Sequence, residues 1–177
     1  MKRRHRATHL DGRGRLQMVD TSAKEPTLRR ARARGAVQMS PQALQQLQSG
    51  ALLKGDVVAA ARLAGIAAAK RTASLIPLCH VLPLDHVGVE LSVEPRQGSI
   101  RIEAEVTCRA ATGAEMEAIV AVLVAAATVY DMCKAVDRGI SIGGVELLEK
   151  SGGRSGTWRR QEARRSARRG RVSRRRS

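Results

Sequence analysis

Phenylalanine is absent from this 177-residue chain, and the only other aromatics are Trp158 and Tyr130. The core must therefore be built from Ala, Val, Leu and Ile. These small side chains let helices approach closely but give less apolar area per residue, so burial against further copies of the chain is the expected supplement. The same lack removes any stacking platform for single-stranded nucleic acid. Long apolar runs are missing too: the longest, Ala118 to Val129, spans 12 residues, short of the roughly 20 a bilayer requires, and no membrane partner is expected. Thr8 to Arg15 holds no apolar stretch of the secretory type, so no signal is expected. Cysteine is scarce and odd in number. Cys79, Cys108 and Cys133 fall at spacings that suit neither a disulfide framework nor a zinc site, which points to a reducing, cytoplasmic setting and to no metal.

Acidic residues are lacking only at the two ends. The formal charge of +16 divides into 11 basic and 3 acidic residues over 1–34, 10 and 12 over 35–150, and 11 and 1 over 151–177. This division predicts a flexible basic arm (1–16), one domain (17–157) and an Arg-rich tail (158–177) that is expected to be disordered. Glu162 is the tail's sole acid and Val172 its only large aliphatic residue. No internal repeat is present.

Between the ends, periodicity assigns the elements. From Leu28, Ala31, Ala33, Gly35, Val37 and Met39 share one face of a strand whose other face, with Arg30, Arg32 and Arg34, is basic. Ser40-Pro41 starts a short helix that Gly50 closes. A second helix is expected from Asp56 to Thr72, with Pro77 forbidding its continuation. Val87 to Val93 and Ile100 to Cys108 alternate around Pro95-Arg-Gln-Gly98 as a hairpin. A long helix, apolar on all sides, is expected from Thr112-Gly113 to Asp137, and a last strand from Ile140 to Leu148. The order β, α in two pieces, β, β, α, β is the split-βαβ plan of an α+β ferredoxin-like sandwich, an antiparallel sheet packed on helices.

Candidate functional groups collect at element ends: Lys54 with Asp56, Lys70 and His80, Asp131 and Lys134, and Lys150. Lysines so placed suit a phosphate-bearing ligand, although each taken singly is more often a solvated charge. His80 alone is more often a hydrogen-bonded structural residue, and Cys79 a small buried hydrophobe. Asp131 and Lys134 share a helix face. An ordinary ion pair is the plain alternative, but a pair leaving a buried helix would be partly desolvated, and its lysine could then lose a proton readily.

Taken together, Met18-Val-Asp20 with Ser22-Ala-Lys24, Lys54-Gly-Asp56, Ala61-Arg-Leu-Ala-Gly-Ile66, Ala69-Lys-Arg-Thr72, Leu75-Ile-Pro-Leu-Cys-His80, Thr112-Gly-Ala-Glu-Met-Glu-Ala118, Tyr130-Asp-Met-Cys-Lys-Ala-Val136 and Lys150-Ser-Gly-Gly-Arg-Ser-Gly156 resemble the molybdenum cofactor biosynthesis protein C family, the cyclic pyranopterin monophosphate synthases. The resemblance covers about residues 8–158. It implies a phosphorus-oxygen lyase in a homo-hexamer, a trimer of dimers with interfacial sites. The implied reaction converts (8S)-3′,8-cyclo-7,8-dihydroguanosine 5′-triphosphate to cyclic pyranopterin monophosphate and pyrophosphate, without a cofactor. It also implies residue roles. Asp131 and Lys134 match the catalytic pair; Lys54, Lys70 and Lys150 match triphosphate and transition-state contacts, and Arg29, counted with the substrate-binding residues, matches an arginine of the first strand. Leu78, Cys79, His80, Met116 and Glu117 match substrate-binding segments, and Glu115 is assigned to the helix start or a basic partner. The chain departs from the family pattern at Ala110-Ala111, where a polar loop residue is usual, and at Val81, where proline is usual. Two alternatives stay open on the sequence: a polyanion- or nucleic-acid-binding paralogue acting non-specifically through the Arg-rich tail, and an inactive copy retained as a subunit.

Overall fold

A computed structural model describes residues 9–50 and 55–161. Its elements are β1 (Thr27–Gln38), α1 (Pro41–Gln48), α2 (Val57–Ala69), α3 (Thr72–Leu75), β2 (Leu84–Glu94), β3 (Ser99–Ala110), α4 (Glu115–Cys133), β4 (Ser141–Ser151) and β5 (Trp158–Arg159). They form one sheet in the order β2-β3-β1-β4-β5, antiparallel at every pairing. Strand β3 lies between β1 and β2, the split-βαβ arrangement, so the α+β ferredoxin-like fold expected from the element order is the fold observed.

Alternation decides which face is covered. Ala31, Ala33, Gly35 and Val37 of β1 and Ile100, Ile102, Ala104, Val106 and Cys108 of β3 are buried beneath α4 and α2. With no large side chains available, the layers close up through glycine and alanine. A Cβ on Gly65 of α2 would lie 2.9 Å from the Ala121 carbonyl oxygen of α4, and one on Gly35 would lie 2.7 Å from Val122 Cγ1. Substituting Gly65→Val forces the two helices apart and is expected to destabilise the fold by about 1–3 kcal/mol, seen as a lower urea midpoint at unchanged m-value.

The other face of the sheet corrects the expectation of a basic surface. Antiparallel pairing sets carboxylates against every arginine of β1's outer row: Arg30 pairs with Glu105 (3.4 Å), Arg32 with Glu103 (3.1 Å) and Arg34 with Glu146 (2.6 Å). The glutamates come from strands distant in sequence, which is why the first strand read alone as basic.

The helices also differ from their expected limits. Asp56 caps α2, its Oδ1 accepting from the Ala59 N–H at 2.9 Å, but α2 ends at Ala69, three residues before the expected Thr72. The Thr72 hydroxyl donates to the Ala69 carbonyl at 3.0 Å, and the chain restarts as the single turn α3. Helix α4 begins at Glu115 rather than Thr112 and ends at Cys133. Asp137, expected inside it, instead accepts from the Ser40 N–H at 2.7 Å and the Gly139 N–H at 2.7 Å, tying the start of α1 to the end of α4. Nor is α4 buried all round. It has the length and hydropathy of a membrane span, yet Ala118, Ala121, Val122, Ala125, Ala126 and Val129 pack on its own sheet and α2, while Leu123 and Tyr130 face outward.

Ordered contacts reach into both terminal segments. Within the expected arm, Leu10 bridges Leu16, and Asp11 accepts from the Arg13 and Arg15 N–H groups, closing a turn. At the other end Trp158 and Arg159, expected in the tail, form β5 against Lys150 and Glu149 of β4. Strand β4 itself runs to Ser151 and carries two irregularities in its pairing with β1. One sets Leu147 opposite Ala33 and Glu149 opposite Arg32, so Leu148 is the extra residue of a bulge. Without it Lys150 would point to the charged open face; with it Lys150 sits opposite Ala31, on the helix side.

Candidate active site

The bulge brings Lys150 beside Arg29, two residues before Ala31 on the same face of β1. Their side chains line a cavity of about 740 Å³ where β1, β4 and the start of α4 meet. Lys150 Nζ donates to Glu115 Oε1 at 2.8 Å, so the first turn of α4 fixes the ammonium while leaving further donors for a ligand. Arg29 Nε donates to the Ala110 carbonyl (3.2 Å) and its Nη2 to the Ala111 carbonyl (3.3 Å), which leaves other guanidinium N–H groups to face the cavity. Backbone carbonyls hold this arginine, so the departure at Ala110-Ala111 leaves its anchoring intact. Thr27, also in the lining, has a buried hydroxyl oxygen with no hydrogen-bond partner among the described residues.

Residues 151–155 form the outer wall. Gly152 and Gly153 adopt φ of +98° and +69°, and a Cβ on either would collide with the Leu28 carbonyl or the Arg29 guanidinium. The loop backbone therefore packs directly on the end of β1. Lys24 and Arg154 add two cations to Arg29 and Lys150, against Glu25 and Glu115, while Arg30 borders the cavity with its charge paired to Glu105. This excess of donors and positive charge suits a polyphosphate. Lys24 and Arg154 lie within stretches singled out in the sequence but were given no role there; Arg30 was read only as part of a basic face. Nothing in their sequence positions signals the cavity, because it forms from three segments, 23–30, 111–115 and 150–155, that are remote from one another along the chain.

A second, smaller pocket of about 80 Å³ lies on the other side of α4's first turn. Lys70, His80, Val81 and Glu117 line it. Glu115 and Glu117 are two residues apart and so leave the helix on different sides, one toward each pocket. Glu117 is only 3% exposed. Burial, chiefly, raises its carboxyl above the ordinary value, with the neighbouring Glu115 charge adding to the shift. A raised folded-state value means its favourable contribution is complete at low pH and lost as pH rises through that value. Glu117→Gln is thus expected to be more stable than the parent at pH 7, with the difference vanishing toward pH 4 in urea titrations, while turnover falls. Cys79 and Cys108 are poor nucleophiles: burial pushes the Cys79 thiol up and the Cys108 thiol up to about 11.

Leu78, Cys79 and Met116 are half-buried near this region but line neither pocket. Lys54 lies outside the described residues. Asp131 and Lys134 stand at the far end of α4, roughly 24 to 28 Å from Glu115 at about 1.5 Å per residue. Their expected desolvation is not observed. Lys134 Nζ and Asp131 Oδ1 are 2.6 Å apart with side chains 51% and 60% exposed. The Asp131 hydrogen bond raises the lysine's proton affinity rather than lowering it. The long apolar helix ends in solvent here, and that is the physical reason the reading failed within one subunit. Among the described residues no group of three or more His, Cys, Asp or Glu side chains is gathered as a metal site would require.

Residues 18–153 match the model of the MoaC family, a span that includes the whole sheet except β5 and all four helices. The chain belongs to the MoaC family. Relatives named cyclic pyranopterin monophosphate synthase include those of Chloroflexus aggregans, 54% identical over 156 residues (88% of this chain, 94% of the relative), and Thermomicrobium roseum, 56% identical over 155 residues (88% and 93%). That of Geotalea uraniireducens is 54% identical over 156 residues (88% and 98%). The match to each of these relatives extends over nearly its full length.

Proposed function

We propose that this chain is a cyclic pyranopterin monophosphate synthase of molybdenum cofactor biosynthesis. It converts (8S)-3′,8-cyclo-7,8-dihydroguanosine 5′-triphosphate to cyclic pyranopterin monophosphate and pyrophosphate. The observation that carries this reading is the cationic cavity in which Arg29 and Lys150 are held by fixed partners. The cavity takes the triphosphate, and its cations offset the charge that develops as pyrophosphate leaves. Lys70, His80 and Glu117 line the neighbouring pocket for the pterin end.

Asp131 and Lys134 supply the acid–base steps from a second copy of the chain. Their own cavity lies roughly 24 to 28 Å away, whereas exposed Leu63, Leu123 and Tyr130 on the helical layer offer apolar surface for assembly. Docking beside Lys150 and Arg29 places Lys134 among like charges and removes water from it. Both effects lower its proton affinity and bring it toward working pH. A hexamer built as a trimer of dimers, in the cytoplasm, is the assembly this arrangement suits.

Purified protein supplied with the cyclised triphosphate is expected to release pyrophosphate and cyclic pyranopterin monophosphate. Absence of both products, where a MoaC-family relative turns over, would overturn the assignment. The polyanion-binding alternative is weakened at the sheet, because Arg30, Arg32 and Arg34 are ion-paired, and falls back on the terminal segments.

A further inference from the structure

Strand β5 and Arg160 lie beyond the family match, which ends at residue 153, yet they contact the part of β4 that aims Lys150. Trp158 pairs with Lys150 itself, and Arg159 pairs with Glu149, its Nε 3.3 Å from Glu149 Oε2. Arg160 reaches across the bulge. Its backbone N–H donates to the Leu148 carbonyl at 2.8 Å, its Nε donates to the Leu147 carbonyl at 2.8 Å and lies 3.2 Å from Glu146 Oε2, and its guanidinium carbon is 5.9 Å from the centre of the Trp158 ring. In a regular strand two successive carbonyls point to opposite edges. Here one arginine binds both, the pair that flanks the extra residue.

We propose that Trp158 and Arg160 are positioning residues: they clamp the Leu148 bulge and the 151–157 loop, and so hold Lys150 and Arg29 in place to receive a polyphosphate. The chain of contact is continuous. Arg160 fixes the bulge, the bulge turns Lys150 toward Glu115 and the cavity, and the glycine pair in the clamped loop packs against Leu28 and the Arg29 guanidinium. Neither Trp158 nor Arg160 is among the residues lining the cavity, so the effect is transmitted through backbone geometry. The proposal rests on the reading of this cavity as the triphosphate site.

Three variants test it: the chain shortened to end at Gln161, the chain shortened to end at Thr157, and full-length Arg160→Ala. Inorganic triphosphate binding is measured by calorimetry, and KM and kcat with the cyclised nucleotide. Ending at Gln161 is expected to change neither affinity nor KM by more than about twofold, whereas ending at Thr157, or Arg160→Ala, weakens triphosphate binding and raises KM about tenfold, with a smaller fall in kcat because the displaced cations also serve the transition state. Equal weakening in both shortened chains would assign the effect to tail charge and overturn the clamp. Unaltered affinity in Arg160→Ala, or a fall in kcat at constant KM, would overturn it as well. Binding is read without turnover, so a chain that binds triphosphate but releases no product refutes the activity and leaves the clamp standing. A full-length chain that fails to bind triphosphate refutes both.

Discussion

Lys134→Ala and Asp131→Asn are each expected to lower kcat by about 10²–10⁴-fold, the range that loss of a positioned proton donor or acceptor produces. Sizing and the denaturation midpoint should stay close to those of the parent. The pair is more than half exposed on the last turn of α4, where its removal opens no cavity in the core. The two variants also separate two parts of the role. In Asp131→Asn the carboxylate that raises the lysine's proton affinity is gone, so Lys134 titrates at a lower pH, and residual activity should shift its basic limb downward. In Lys134→Ala that limb disappears. Normal turnover in either variant, measured as pyrophosphate release under saturating substrate, would show that this end of the helix is not the acid–base centre.

Mixing two inactive proteins is expected to restore activity. Lys134→Ala retains a complete cavity, and Lys150→Ala retains the distal pair. If each site takes its cavity from one copy and its acid–base pair from another, random reassociation in dimers gives mixed pairs with one intact site of two. About one quarter of parental activity should return, provided each variant alone loses about 10²-fold or more. The distance along α4 is what makes the experiment decisive. A site assembled within one subunit cannot be rebuilt this way, and failure to regain activity after demonstrated subunit exchange would place the chemistry elsewhere.

Much of the fold was legible because its signals are local. The alternation Ala31, Ala33, Gly35, Val37, with that of Val87 to Val93 and Ile100 to Cys108 on either side of the Pro95 to Gly98 turn, fixed the strands and their buried faces, and Ser40-Pro41 marked a helix start that the structure places at Pro41. What escaped was long-range or stereochemical. The neutralising glutamates opposite Arg30, Arg32 and Arg34 come from β3 and β4, and no window along the first strand contains them. Helix α2 stops at Ala69 and the chain resumes as the single turn Thr72–Leu75, a three-residue difference from the expected end at Thr72 that no capping residue or proline marks at that point. Of the proposed site residues, Arg29 and Lys150 fall in one cavity, Lys70, His80 and Glu117 in another, and Asp131 with Lys134 at a third location. Reading along the chain named the residue types but could not show that one subunit leaves them in three places.

The extra residue at Leu148 makes this cavity a matter of parity. From Glu146, which must meet Arg34 on the charged face, to Lys150, which must meet Glu115 beneath the helix, β4 takes four steps while its partner takes three, from Arg34 to Ala31, so the facing changes where an unbroken pairing would repeat it. A relative could keep every charged residue named above and still turn its key lysine to the wrong side by losing one aliphatic residue in between. Judging whether such a protein can act therefore requires counting the spaces between its site residues as well as identifying them.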